Sequence, residues 1–142
     1  MKTIRELLHE KGDEVRTIGP AASVHEALQE MAKHHIGSLV VVDGGRPIGL
    51  FSERDYAFKV GLEERSSRDT QVQDVMTRRV AFVAPTQTVE ECMALMTEKR
   101  VRHLPVIEAD ELIGLVSIGD LVKAIISEQQ FIIAQLEQYI AG

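Results

Sequence analysis

The chain has 142 residues, a formal charge of -6 and a 44% hydrophobic share, which fits one compact globule and leaves no room for a (β/α)8 barrel of roughly 250 residues. The acidic balance argues against nucleic acid as a partner, because broad contact with a phosphate backbone needs a net basic surface, although a few local cations can still hold a small anion. No apolar run approaches the roughly 20 residues that cross a bilayer, so no membrane is expected.

The start Met1-Lys2-Thr3-Ile4-Arg5-Glu6 lacks a signal-peptide core, and a cytoplasmic location is expected. Thr3 to His9 carries Ile4, Leu7 and Leu8 at helical spacing and predicts a first helix. A short strand, Val15 to Ile18, ends before Gly19-Pro20, and Ser23 is a natural cap for a helix whose apolar face is Val24, Ala27, Leu28 and Met31. Ser38 to Asp43 and Pro47 to Phe51 flank the turn Asp43-Gly44-Gly45-Arg46 and predict a hairpin, after which Arg54 to Val60 returns to helix.

After a polar linker at 62–71 the same order begins again. Val72, Val75 and Met76 predict an opening helix, Val80 to Val83 a strand, and Thr88 the cap of a helix with Val89, Cys92, Met93 and Met96 on one face. His103 to Glu108 and Leu112 to Val116 form the second hairpin, and Ile118 to Ser127 the closing helix. Laid against itself at an offset of 65, Val15 to Tyr56 matches Val80 to Leu121 without a gap, with 12 of 42 positions identical where roughly 2 or 3 would arise by chance. The chain is a duplication. A unit of about 60 residues buries only about 60% of the surface it exposes when unfolded, so the halves are expected to share one core.

The most specific shared feature is Gly49-Leu50-Phe51-Ser52-Glu53-Arg54-Asp55 against Gly114-Leu115-Val116-Ser117-Ile118-Gly119-Asp120. Each sets a serine at a strand end and an aspartate three residues into the next helix. A helix N-terminus favours phosphate, a serine hydroxyl adds a donor, and a carboxylate can accept from the two vicinal hydroxyls of a ribose. The same spacing also describes a capping box, which is the simpler account of either copy alone. Recurrence and nearby cations favour a ligand: Arg54 lies in the first segment, and Arg100, Arg102 and His103 precede the strand of the second.

The repeat, the segments Ile36-Gly37-Ser38-Leu39-Val40-Val41 and Val101-Arg102-His103-Leu104-Pro105-Val106, and the doubled Gly-x-x-Ser-x-x-Asp together resemble a tandem pair of CBS domains, a Bateman module. The resemblance covers about residues 3–127. It implies an α/β fold of two pseudo-symmetric units, each helix-strand-helix-strand-strand-helix, at residues 3–61 and 72–127, with a helical tail at 128–142. It further implies that paired domains bind adenosine-containing ligands in two clefts between them. Carried over, Asp55 and Asp120 would hold ribose hydroxyls, Ser52, Arg54, Ser117 and Arg102 would face phosphates, and the backbone around Ile36-Gly37 and Val101-Arg102, with Ala22, Ala27, Gln87 and Cys92, would frame adenine. Ser38 and His103 are candidates beside them.

The copies depart from one another at this site. Gly119 stands opposite Arg54, Gly37-Ser38 opposite Arg102-His103 and Val40 opposite Pro105, so the two sites are expected to differ. Arg54, Arg102 and His103 favour a phosphorylated adenylate such as AMP, ADP, ATP or NAD(H) over a sulfonium cation. No Gly-x-Ser-x-Gly elbow, Walker loop or Rossmann fingerprint is present, and an enzyme is not expected.

Cys92 is the only cysteine, which excludes an intrachain disulfide, and its apolar register predicts a buried thiol. His9, His25, His34 and His35 are scattered and read as surface or capping residues, with no metal site expected. The linker Arg65-Ser66-Ser67-Arg68-Asp69-Thr70 reads as a solvated loop that could cover a phosphate group. Beyond the last copy, Ile125, Ile126, Phe131, Ile132, Ile133, Leu136, Tyr139 and Ile140 are too apolar for a free helix and predict a homodimer. The expected role is an adenine-nucleotide sensor acting in trans on an unidentified protein effector; the alternative is a ligand-independent dimeric scaffold.

Overall fold

A computed structural model describes residues 1–12 and 14–141. The elements are helix α1 (Ile4–Lys11), strand β1 (Thr17–Ile18), helix α2 (Val24–His34), strands β2 (Ser38–Asp43) and β3 (Arg46–Ser52), a single helical turn α3 (Glu53–Asp55) that widens into a π-helical turn (Tyr56–Gly61), and helix α4 (Val72–Val75). They are followed by helix α5 (Val89–Lys99), strands β4 (His103–Glu108) and β5 (Glu111–Ser117), and the long helix α6 (Ile118–Ala141). This is the mixed α/β order that the repeat predicts.

The chain forms two compact units, and each opening helix lies in the unit of the other repeat. One unit spans Glu14–Ala81 with Glu108–Ile113, so α4, which opens the second repeat, belongs with the strands of the first. Its sheet has the order β1-β2-β3, with Thr17 and Ile18 parallel to Val40 and Val41 and the hairpin antiparallel. Val24, Ala27 and Met31 from α2, Leu39, Val41 and Phe51 from the sheet, Val60 from the π turn and Val72, Val75 and Met76 from α4 form its core. The hairpin turn places Gly44 at φ 57° and Gly45 at φ 83°, the left-handed pair that a two-residue turn between twisted strands requires. The linker is not merely solvated: the N–H groups at the start of α2, from Val24 and His25, donate to the carbonyls of Thr70 and Ser67 at 2.8 and 2.9 Å.

The other unit combines the chain's opening segment, Phe82–Ile107 and the chain from Gly114 onward. Here α1 is tied to the second repeat by Ile4 and Arg5 N–H groups donating to the carbonyls of Gln87 and Pro85 at 2.8 and 2.9 Å. Ile4, Leu7, Leu8, Val83, Val89, Cys92, Met96, Leu104, Val106, Val116, Leu121 and Ala124 are among its buried side chains. The predicted strand Val80 to Val83 is reduced to a single bridge between Val83 and Val106. Pro105 explains the loss: in the first copy the Val40 N–H donates to the Arg16 carbonyl at 3.3 Å, and proline at the matching station has no N–H to give.

Candidate functional site

In the first repeat, β3 ends at Ser52, whose extended backbone (φ -127°, ψ 166°) caps the turn that follows. The Ser52 hydroxyl accepts from the Asp55 N–H at 3.2 Å, and Asp55 Oδ2 accepts from the Ser52 N–H at 3.0 Å and from its hydroxyl at 3.1 Å. Oδ1 of the same carboxylate accepts from Thr77 Oγ1 at 3.0 Å and is paired with Lys59 Nζ at 2.9 Å. Lys59 also donates to the Val75 carbonyl. Asp55 is 6% exposed. The Glu53 N–H donates to the Gly37 carbonyl at 3.0 Å, which brings the backbone of Ile36-Gly37 beside the box. Ser38 is buried there and its Oγ has no hydrogen-bond partner among the described residues. Arg54 is exposed and lies over the Phe58 ring, 5.4 Å from its centroid.

The second repeat builds the same box with different support. The Ser117 hydroxyl accepts from the Asp120 N–H at 3.1 Å, and Asp120 Oδ2 accepts from the Ser117 N–H and from Lys11 Nζ, both at 2.9 Å. Lys11 also donates to the Leu115 carbonyl at 2.7 Å. The Ser117 hydroxyl also bonds to the carboxyl, and the Asp120 side chain is 28% exposed. Burial pushes the Asp120 pKa up, but the Ser117 N–H and Lys11 outweigh it and hold the carboxyl below its ordinary value. The Ile118 N–H donates to the Arg102 carbonyl at 2.8 Å, matching the Glu53 bond of the first repeat. Arg102 is exposed, while Val101 and His103 are half-buried. At Gly119 an added Cβ would meet only Ser117 Oγ, at 3.6 Å, so this glycine leaves room rather than relieving a clash.

A profile of the CBS domain matches the chain twice, at residues 4–60 and 72–127. The chain belongs to the CBS-domain family. It is 41% identical over 125 residues to the mitochondrial CBS-domain protein CBSX3 of Arabidopsis thaliana, covering 84% of this chain and 61% of that protein. It is 31% identical to the CBS-domain protein YhcV of Bacillus subtilis, with 76% of each covered. A CBS-domain protein of Burkholderia ambifaria assigned to signal transduction superposes with a TM-score of 0.86 at 48% identity, over 90% of this chain and 96% of that one.

Within this CBS pair, Ser52, Asp55, Gly37 and Ser38 come together in one unit, and Ser117, Asp120, Val101 and Arg102 in the other. Ala27 and Cys92 do not join them as surface. Both are fully buried on the core faces of α2 and α5, so neither presents a side chain to a ligand. Burial, reinforced by Glu91, pushes the Cys92 thiol up to about 11, which keeps it protonated and inert. Gln87 is half-buried and its side chain accepts from the Ala84 N–H at 2.8 Å, closing the turn before α5; Ala22 is half-buried and its carbonyl accepts from Val72.

Three residues that touch the boxes escaped the sequence reading. Lys59 carries a legible signal, four residues after Asp55 on the same helical run. Lys11 and Thr77 carry none, since each arrives from the segment that opens the other repeat. Among the described residues, no group of three or more His, Cys, Asp or Glu side chains is placed to hold a metal ion, and no helix is long and apolar enough to cross a membrane.

Proposed function

We propose that this CBS-domain pair is a regulatory module that binds an adenine nucleotide and relays its presence to a partner protein. The observation that carries the reading is the Asp120 box: a half-buried carboxylate, 28% exposed, at the N-terminus of the 24-residue helix α6, with the exposed Arg102 joined to the box through its own carbonyl. Such a carboxylate suits a ribose diol, and the helix terminus and arginine suit phosphate. AMP, ADP, ATP and NAD(H) share that chemistry. The relative from Burkholderia ambifaria, assigned to signal transduction, agrees with a regulatory rather than catalytic role. A cytoplasmic location fits a chain with one, buried, cysteine; the Arabidopsis relative is mitochondrial by name.

The test is thermal unfolding of protein stripped of copurifying nucleotide. Addition of the matching adenylate at about 100 times its dissociation constant is expected to stabilise the fold by about 2.7 kcal/mol. No shift with millimolar AMP, ADP, ATP or NAD(H) would instead favour an interaction scaffold, a reading supported by the completeness of both boxes as caps without any ligand.

Self-association belongs to either reading. From Val122 onward α6 repeats a seven-residue pattern, Val122, Ile125, Ile126, then Ile132, Ile133, then Leu136, Tyr139, Ile140, and Ile132, Ile133 and Leu136 are 50, 54 and 56% exposed. A solved CBS-CP12 protein from cyanobacteria, 26% identical with a TM-score of 0.76, is hexameric, which supports self-association of this chain. Removal of residues 129–142 is expected to turn a homodimer or larger species into a monomer by sedimentation at micromolar concentration. A truncated chain of unchanged size would place the interface elsewhere.

A further inference from the structure

We infer that the first-repeat box is a closed lock and that the ribose of an adenine nucleotide is accepted at one place only, Asp120. The inference rests on the nucleotide reading above. A carboxylate offers about four lone-pair sites, and at Asp55 three are taken by hydrogen bonds, from the Ser52 N–H and hydroxyl on Oδ2 and the Thr77 hydroxyl on Oδ1, while the Lys59 ammonium is paired with Oδ1 at 2.9 Å. With 6% of the residue exposed, a diol could bind only by breaking the ion pair and the threonine bond together. At Asp120 the donors among the described residues are Ser117 and Lys11, with no counterpart of the Thr77 hydroxyl, and the side chain is 28% exposed, so a diol finds room on the carboxylate.

The lock has a cause in the sequence. At the offset of 65, Lys59 stands where the second repeat has Ala124, a buried residue of α6. A lysine cannot take that buried station, and the helix widens instead: Leu62 and Arg65 N–H groups reach back five residues to the Ala57 and Val60 carbonyls, both at 3.0 Å. Val60 then fills the core at 1% exposure, and the Lys59 ammonium is delivered to Asp55 and to the Val75 carbonyl. The second repeat keeps a regular helix and an open carboxylate. Arg54, the cation within the first Gly-x-x-Ser-x-x-Asp segment, is laid on Phe58.

Calorimetric titration of nucleotide-free protein with AMP, ADP, ATP and NAD(H) tests this. One site per chain is expected for the nucleotide that binds, and Asp120→Asn, which can still cap α6, should weaken it about tenfold or more through loss of the charged acceptor. Lys59→Ala should leave that site within about twofold and add a second, weaker one, because the ion pair on Asp55 is gone. Two sites of equal affinity in the parent, or parental affinity in a folded Asp120→Asn, would overturn the inference. No heat with any of the four nucleotides overturns the nucleotide reading instead. The lock is then judged by melting: Asp55→Asn must unfold at a lower temperature than Asp120→Asn, and the opposite or an equal order removes it.

Discussion

Asp55→Ala is expected to destabilise the protein by about 3 kcal/mol, against about 1 kcal/mol for Asp120→Ala. The two aspartates hold the same place in the repeat, so propensity and capping position cancel in the comparison. What differs is how many donors lose their acceptor. Alanine at 55 strands the Ser52 N–H and the Thr77 hydroxyl at a site that water barely reaches and removes the ion-pair partner of Lys59, which keeps the Val75 carbonyl and solvent. Alanine at 120 strands the Ser117 N–H and Lys11, in a box open enough for water to replace the carboxylate. For a chain of this size 3 kcal/mol corresponds to roughly 10 °C in melting temperature. Denaturation of both variants without nucleotide decides the point; equal losses would mean that the Lys59 and Thr77 contacts contribute nothing.

Gly49→Ala should cost about 2 to 3 kcal/mol and Gly114→Ala about half as much. These glycines are the matched first residues of the two Gly-x-x-Ser-x-x-Asp segments, and neither has a positive φ, so the reason for them is space. A Cβ at 49 would stand 2.8 Å from Met76 Sδ and 2.9 Å from the Thr77 carbonyl oxygen. That carbonyl is held by the Leu50 N–H at 3.0 Å while the Thr77 N–H donates back to Leu50 at 2.8 Å, so yielding means losing both bonds and shifting Thr77 off Asp55. A Cβ at 114 would meet Leu8 Cδ2 and Cδ1 at 2.7 and 2.8 Å, the ends of a side chain that can turn away. Urea unfolding of both variants measures the difference. If Gly114→Ala proves the more damaging, Leu8 is packed more rigidly than Met76 and Thr77, and the ranking fails.

Much of this protein is legible without coordinates because its determinants are local. The offset of 65 reveals the duplication, and Ser23 and Thr88 do cap α2 and α5 through the N–H groups of Glu26 and Glu91. Gly44-Gly45 specifies a tight turn, and Ser-x-x-Asp specifies a reciprocal cap whether or not a ligand ever meets it. The apolar stripes of α2 and α5 identify the buried faces, and the same stripes show that Ala27 and Cys92 point inward, a cue that outweighs their place beside a candidate site. Proline at 105 even carries the reason for the missing strand, since the N–H it lacks is the one that Val40 uses.

Tertiary structure alone decided which unit each opening helix joins. Helical spacing in Ile4, Leu7, Leu8 and in Val72, Val75, Met76 shows that a face will be buried, but periodicity carries no address, and the two repeats offer near-identical apolar surfaces to either helix. Chain order suggests that each helix packs on the strands that follow it. The fold exchanges them, and Lys11 thereby reaches Asp120 across 109 residues while Thr77 reaches Asp55 across 22. Those long-range partners, with the π turn forced by Lys59, make one carboxylate closed and its copy open. The repeated motif determined where the two boxes lie; the contacts brought to them by distant segments decided that they are not alike.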